Sequence, residues 1–213
     1  MLQRDPNNTS ARFSVAMAEQ KVSFFMRESD PPGAIRQARD SVRLFDEMIA
    51  TQKGEHRSNV SSHAEALWTL GEAQLKAGRL REARSSADAA LAAIREIMAQ
   101  IPPGSADRGD LVEALMVAAK TSAATGNPTR AESLLREARE EGKQMARTHE
   151  LTNSIPLANS ERALGNFYAQ RNRTQEARAC YQRLVDLWQQ FPESNEYVDG
   201  QKASSKRLLF SLR

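Results

Sequence analysis

Apolar residues along this chain return three and four positions apart, and almost nowhere do they alternate with polar ones at the spacing of a strand. Read for that period, the sequence predicts helices at 10–28, 33–51, 59–77, 80–100, 107–125, 128–148, 155–171 and 174–191, with a weaker one near 199–211. The prolines fall at the seams: Pro6, Pro31-Pro32, Pro102-Pro103, Pro128, Pro156 and Pro192. Asn127-Pro128 reads as a helix N-cap followed by Pro at the first helical position, and Asp30-Pro31 reads the same way. Short turns inside each pair imply antiparallel neighbours, so the expectation is an all-α chain of paired helices.

Self-comparison then changes the picture. Leu70-Gly71-Glu72-Ala73-Gln74-Leu75-Lys76-Ala77-Gly78-Arg79-Leu80-Arg81-Glu82-Ala83 aligns with Leu164-Gly165-Asn166-Phe167-Tyr168-Ala169-Gln170-Arg171-Asn172-Arg173-Thr174-Gln175-Glu176-Ala177. A degenerate third copy runs from Ala118-Ala119 to Gly126-Asn127-Pro128-Thr129-Arg130-Ala131, and a fainter fourth ends Ser29-Asp30-Pro31-Pro32-Gly33-Ala34. The aligned alanines Ala34, Ala83, Ala131 and Ala177 lie 49, 48 and 46 residues apart. A fixed period of this size is the mark of a solenoid, in which each repeat contacts its neighbours.

These motifs resemble the tetratricopeptide repeat: a Leu-Gly pair midway along a first helix, a small residue at the turn, and an Ala early in the second helix. The resemblance implies a right-handed superhelical solenoid of antiparallel helix pairs. Gly71 and Gly165 would stand where paired helices cross, and Gly78 and Asn172 would take a turn conformation that other residues avoid. Ala83 and Ala177 would sit at the closest contact, with Tyr181 the bulky residue four positions on. The pairs fall at about 9–51, 59–100, 107–148 and 155–191, and 193–213 reads as a capping helix. Asp5-Pro6-Asn7-Asn8 matches the family's inter-repeat junction, so residues 1–8 read as the end of a preceding repeat or linker. The period near 48 exceeds the family's 34, giving helices roughly two turns longer. The first and third copies lack the Leu-Gly pair.

A narrower resemblance is to the C-terminal repeat region of large bacterial serine/threonine protein kinases of acidobacterial type, on the Asp-Pro-Asn-Asn start, the long irregular repeats and an Arg/Ala-rich tail. It implies a docking or sensing region whose catalytic domain lies upstream. The chain itself has no Gly-rich loop, His-Arg-Asp or Asp-Phe-Gly motif.

Composition supports the helical reading. Leu, Ile, Val and Phe together number only 40 of 213 residues, but Ala contributes 32, which favours helix and lets axes approach closely. The net charge of +3, from 30 basic and 27 acidic residues, is too small for disorder and makes a weak field for nucleic acid. The charges interleave, as in Arg79-Leu80-Arg81-Glu82-Ala83-Arg84 and Arg136-Glu137-Ala138-Arg139-Glu140-Glu141, which suits solvated helix faces. A nucleic-acid-binding repeat would need several phosphate contacts and is not expected. One cysteine, Cys180, excludes an internal disulfide. The N-terminus carries no signal-peptide core and no run spans a bilayer, so a soluble cytoplasmic protein is expected, without membrane contact.

No catalytic constellation emerges. His56 and His63, with Glu55 and Glu65 nearby, lack metal-ligand spacing, and His149 is remote, so surface histidines are the expectation. Cys180 has no paired base and reads as core filler. Adjacent carboxylates such as Glu140-Glu141 point to different faces. The expectation is a non-enzyme with no metal and no cofactor.

If the repeat resemblance holds, the first helix of each pair lines the concave face. The inner positions are then Glu65, Trp68, Glu72, Leu75 and Lys76; Glu113, Met116, Lys120, Ala123 and Ala124; and Asn159, Arg162, Asn166, Ala169 and Gln170. Trp68, Met116 and Arg162 are hot-spot residue types. Trp68 reads equally as core packing, and Met116 favours packing. Asn159, Arg162 and Asn166 form a polar stripe suited to a peptide backbone, whereas Glu65 and Glu72 would repel a terminal carboxylate. The expected function is a protein–protein interaction scaffold for a partner protein or peptide, within a larger signalling protein. The alternatives are regulatory sensing of a small ligand or peptide, and self-association. An open first repeat would expose Phe13, Val15, Phe24 and Phe25 as a homodimer surface. The C-terminal segment, with Tyr197, Val198, Leu208, Leu209 and Phe210 among Lys202, Lys206 and Arg207, reads as a cap, its alternative a basic amphipathic tail.

Overall fold

Ala-rich stretches broken by Gly, Asn and Pro leave the backbone one regular option, and the structure takes it. The computed structural model describes residues 8–51, 57–100, 105–192 and 195–212. They form α1 (Thr9–Met26), α2 (Pro31–Thr51), α3 (Arg57–Lys76), α4 (Leu80–Gln100), α5 (Ser105–Ala124), α6 (Pro128–Ala146), α7 (Leu151–Ala169), α8 (Thr174–Gln189) and α9 (Glu196–Ser211). The fold is all-α and built of repeated helix pairs. The Asp5-Pro6-Asn7 part of the expected junction, Glu55, His56 and Pro102-Pro103 lie outside the described residues.

The turns inside three pairs are closed alike. Gly78, Gly126 and Asn172 have φ of 72°, 79° and 58°, a region open to Gly and tolerated by Asn. Each sits in a Schellman cap: the next residue's N–H reaches back five positions, from Arg79 to Gln74 O (2.9 Å), Asn127 to Ser122 O (2.9 Å) and Arg173 to Tyr168 O (3.0 Å). The following helices start as the prolines imply. Asn127 Oδ1 accepts from the Arg130 N–H at 3.1 Å, and Asp30 Oδ1 from the Gly33 N–H at 2.9 Å. The first pair differs, closing its turn without a left-handed residue among Arg27–Asp30.

Pro156 departs from the expectation. It lies inside α7, whose first turn begins at Leu151, so it is no boundary. Thr148 and His149 N–H groups close the end of α6, and α7 starts at once. The proline's missing N–H falls in the second turn, where it removes one intrahelical bond.

By contact the chain divides into two units, Met1–Ala131 and Glu132–Arg213. In the first, α1 pairs with α2 and α3 with α4; α2 packs on α3 and α4 on α5; and α1, α3 and α5 lie side by side. In the second, α7 pairs with α8, which packs on α9. The small crossing residues carry both arrangements. A Cβ built on Gly71 would stand 3.2 Å from Ala83 O and 3.4 Å from Ala87 N, so α3 and α4 touch backbone to backbone. Where α7 meets α8, Tyr181 fills the space instead: a Cβ on Gly165 would lie 2.7 Å from its Cδ1, and its hydroxyl donates to Asn166 Oδ1 at 2.8 Å. The same register places Ser23 and Ala119 at the crossings that lack Leu-Gly, and both are buried. Ala34, Ala83, Ala131 and Ala177 are fully buried.

Gly165→Ala is therefore expected to destabilise the protein by about 1–3 kcal/mol, the range for overpacking a tight core. Gly78→Ala should cost about 1 kcal/mol, from left-handed strain alone. Thermal or urea unfolding checks both. Adding Tyr181→Phe to Gly165→Ala leaves the clash, whereas adding Tyr181→Ala relieves it.

Candidate partner-binding face

The side-by-side α1, α3 and α5 turn one row of side chains outward, which includes Glu72, Lys76 and Lys120 among the sequence-derived positions of repeats two and three. The 48-residue offset stacks Phe24, Glu72 and Lys120 in one file, and Glu28 and Lys76 in the next. Lys76 Nζ lies 2.7 Å from Glu28. Lys120 Nζ lies 2.6 Å from Glu72, and Arg27 Nε stands 3.9 Å from the same carboxylate. Arg27 also covers the Phe24 ring, its Cζ 3.6 Å from the centroid. Towards the turn, charge on this face is thus matched between repeats. Glu72 is half-buried, while Lys76 and Lys120 are exposed.

The other end of the row is unlike it. Glu65 and Trp68 are half-buried on α3. Asp110 on α5 accepts from Ser61 Oγ at 2.6 Å, and Glu65 accepts from the Gln20 amide on α1. Burial pushes both carboxyls above the ordinary carboxylate range. Asp110 pushes Glu65 further up, with Lys21 pulling it back. Gln20, only 4% exposed, leaves its Oε1 without a partner.

Not every sequence-derived position belongs to this face. Met116 is 5% exposed: α5 is packed nearly all round, and its thioether is core, not an outward anchor. Leu75, Glu113 and Ala123 are half-buried and Ala124 exposed. In the second unit, Asn159 and Arg162 are half-buried and Asn166 and Gln170 exposed on α7, with Ala169 half-buried. Two of the polar stripe's members are already engaged. Arg162 donates through Nη2 to Gln201 of α9, and Asn166 accepts from Tyr181. Gln20, Arg27, Glu28, Ser61 and Asp110 were not singled out from sequence. Extending the 48-residue offset back into α1 finds Gln20 opposite Trp68 and Glu28 opposite Lys76.

The remaining chemistry-bearing residues take structural places. Cys180 is buried and its thiol is raised to about 11, by burial first and by Glu161 second. Glu161, 2% exposed, is clasped by Arg183 through two hydrogen bonds of 2.7 and 2.9 Å, so the ion pair ties α7 to α8. His63 faces Asp46 of α2 at 3.0 Å, away from Glu65's partners. Glu132 accepts from Arg173 at 2.6 Å, Arg136 at 2.7 Å and Tyr168 at 3.0 Å. Among the described residues no three His, Cys, Asp or Glu side chains converge as metal ligands, and no helix is long and apolar enough to cross a membrane.

The comparisons agree with this architecture. A tetratricopeptide repeat family model matches residues 25–96, the span from the end of α1 through most of α4. Among solved structures, the crystal structure of BtubC (BKLC) from P. vanneervenii resembles the chain at a TM-score of 0.53 and 12% identity, over 97% of this chain and 86% of that one. At that identity the likeness is one of fold. No curated protein matches.

Raised carboxyl pKa values fix the sign of a pH effect. A group that binds its proton more tightly in the fold than in the unfolded chain weakens the fold above its native pKa, and the penalty fades as pH falls through the window down to its ordinary value. Asp110→Asn and Glu65→Gln are therefore expected to raise the melting temperature at neutral pH, with the gain shrinking as pH falls through the raised native values and gone below about pH 4, where unfolded carboxyls protonate too. Cys180 should resist thiol reagents until the protein unfolds, and thiol titration with and without denaturant checks this.

Proposed function

We propose that the protein, whose residues 25–96 match a tetratricopeptide repeat family model, is a non-catalytic scaffold that binds a partner protein or peptide on the face of α1, α3 and α5. Repeats of this family generally mediate protein–protein interaction. The observation that carries the reading is the contrast along one face: matched ion pairs at the turn end, and at the other end two desolvated carboxyls, Glu65 and Asp110, of which Glu65 lies one helical turn from the half-exposed Trp68 on α3. Carboxylates held at a cost to stability are retained where they serve binding. The partner chemistry that fits is a segment with a Lys or Arg next to an apolar side chain, the cation meeting Glu65 and Asp110 and the apolar group lying on Trp68. Glu72, Lys76 and Lys120 flank it. Taken by itself, the second unit offers a separate polar stripe, Asn159, Arg162, Asn166 and Gln170, of which Arg162 and Asn166 are already engaged within that unit. The resemblance to kinase repeat regions supports a docking role within a larger signalling protein in the cytoplasm.

The test is binding to an array of short peptides of graded charge and apolar content, with wild type and a Trp68→Ala, Glu65→Lys variant of matched melting temperature. Wild type should prefer basic-apolar peptides, and the variant should bind them at least tenfold more weakly, about 1.4 kcal/mol. Equal binding by both would remove the face from the account. Trp188 is 1% exposed, so a shift of Trp emission on binding reports Trp68.

A further inference from the structure

Two contacts between first helices meet at one place on the α1, α3 and α5 face. The Gln20 amide of α1 donates to Glu65 of α3, and Ser61 Oγ of α3 donates to Asp110 Oδ2 of α5 at 2.6 Å. Ser61 and Glu65 are four apart on α3, so the two contacts lie one turn from each other on the same side of that helix. They are near enough for the Asp110 charge to bear on Glu65. The other neighbours of α3, α2 and α4, pack on a different side of it, where His63 meets Asp46 and Gln74 meets Ser86.

Among Gln20, Ser61, Glu65 and Asp110, acceptors outnumber donors. Gln20 is 4% exposed and its Oε1 has no hydrogen-bond partner. The amide nitrogen is spent on Glu65, so this oxygen belongs to the head group that meets that carboxyl. A buried carbonyl without a donor weakens the fold. Burial raises both carboxyls, so a cation among them is worth more than one at the exposed pair of Glu28 and Lys76. Lys21, next along α1, draws Glu65 down by its charge but is itself exposed.

The geometry of the acceptors separates one cation from another. A guanidinium is a planar fork that pairs best with both oxygens of one carboxylate. Here each carboxylate already accepts from a neighbour, Glu65 from Gln20 and Asp110 from Ser61, and the third acceptor is an amide oxygen on another helix. An ammonium is a compact charge with three donors and no acceptor, which suits three acceptors brought by three helices.

We infer that Gln20, Glu65 and Asp110 form a site for a primary ammonium, the Nζ of a partner lysine, selected over an arginine guanidinium and over acetylated lysine. The inference rests on the reading of this face as a partner-binding surface; it adds Gln20 as an acceptor and narrows the partner's cation to lysine. Acetylation of that lysine removes the charge and leaves a single N–H, so it would release the partner.

Isothermal titration of the full chain tests this with peptides identical apart from a single Lys, Arg or Nε-acetyl-lysine beside an apolar residue. Wild type should bind the lysine peptide about tenfold more tightly than either of the others. Gln20→Met, an apolar replacement at a buried position, should keep its circular dichroism spectrum and bring the lysine and arginine peptides to within about twofold of each other. Trp68→Ala should weaken both and leave their ratio unchanged. Equal binding of the lysine and arginine peptides by wild type would overturn the inference while leaving the face reading in place, and so would a ratio that Gln20→Met does not move. Should Gln20→Met fail to fold, the wild-type ratio decides alone. Failure of all the peptides to bind would overturn the face reading, and this inference with it.

Discussion

The closeness with which paired helices cross governs the rest of this structure. At Gly71 there is no room for a side chain between α3 and the backbone of α4, and at Gly165 the space is filled by the ring of Tyr181. Once the crossing is set by residues with little or no side chain, the alanines opposite must remain small. The apolar stripes of α2 and α4 then fall onto the next repeat's first helix, and the first helices are brought side by side. A chain with few large aliphatics makes its core through proximity rather than bulk.

Side-by-side first helices give the candidate face its character. Residues 48 apart become neighbours, so charges that look scattered in sequence are matched in space, Glu28 with Lys76 and Glu72 with Lys120. Exposed pairs of this kind add little stability. Their main effect is to neutralise one end of the face, leaving the acidic pair Glu65 and Asp110 and the Trp68 ring as its distinctive chemistry. The second unit spends its polar side chains differently, using Arg183 on Glu161 and Tyr181 on Asn166 to hold α7 to α8.

Much of this was legible in the order of residues. Helix ends followed from Asn127-Pro128, Asp30-Pro31 and the left-handed turn positions Gly78 and Asn172, because caps and turns are local chemistry. Pro156 misled: a proline in a helix's second turn costs one hydrogen bond, and nothing local separates that from a boundary. Met116 is buried because α5 is surrounded, which depends on neighbours distant in sequence. Gln20, Arg27 and Glu28 escaped notice because the first copy lacks Leu-Gly; Ser23 fills the crossing there, and the repeat is recognisable only by its offset.

The central claim is that partners engage the face of α1, α3 and α5. The most direct measurement places a photocrosslinking residue at Lys76, on that face, and in a second protein at Glu96, exposed on α4, followed by mass spectrometry of the crosslinked products from the source cell. The account predicts discrete products from position 76 whose crosslinked segments are basic and apolar, and none from position 96. Equal or stronger capture from position 96 would contradict it and move binding to the second helices.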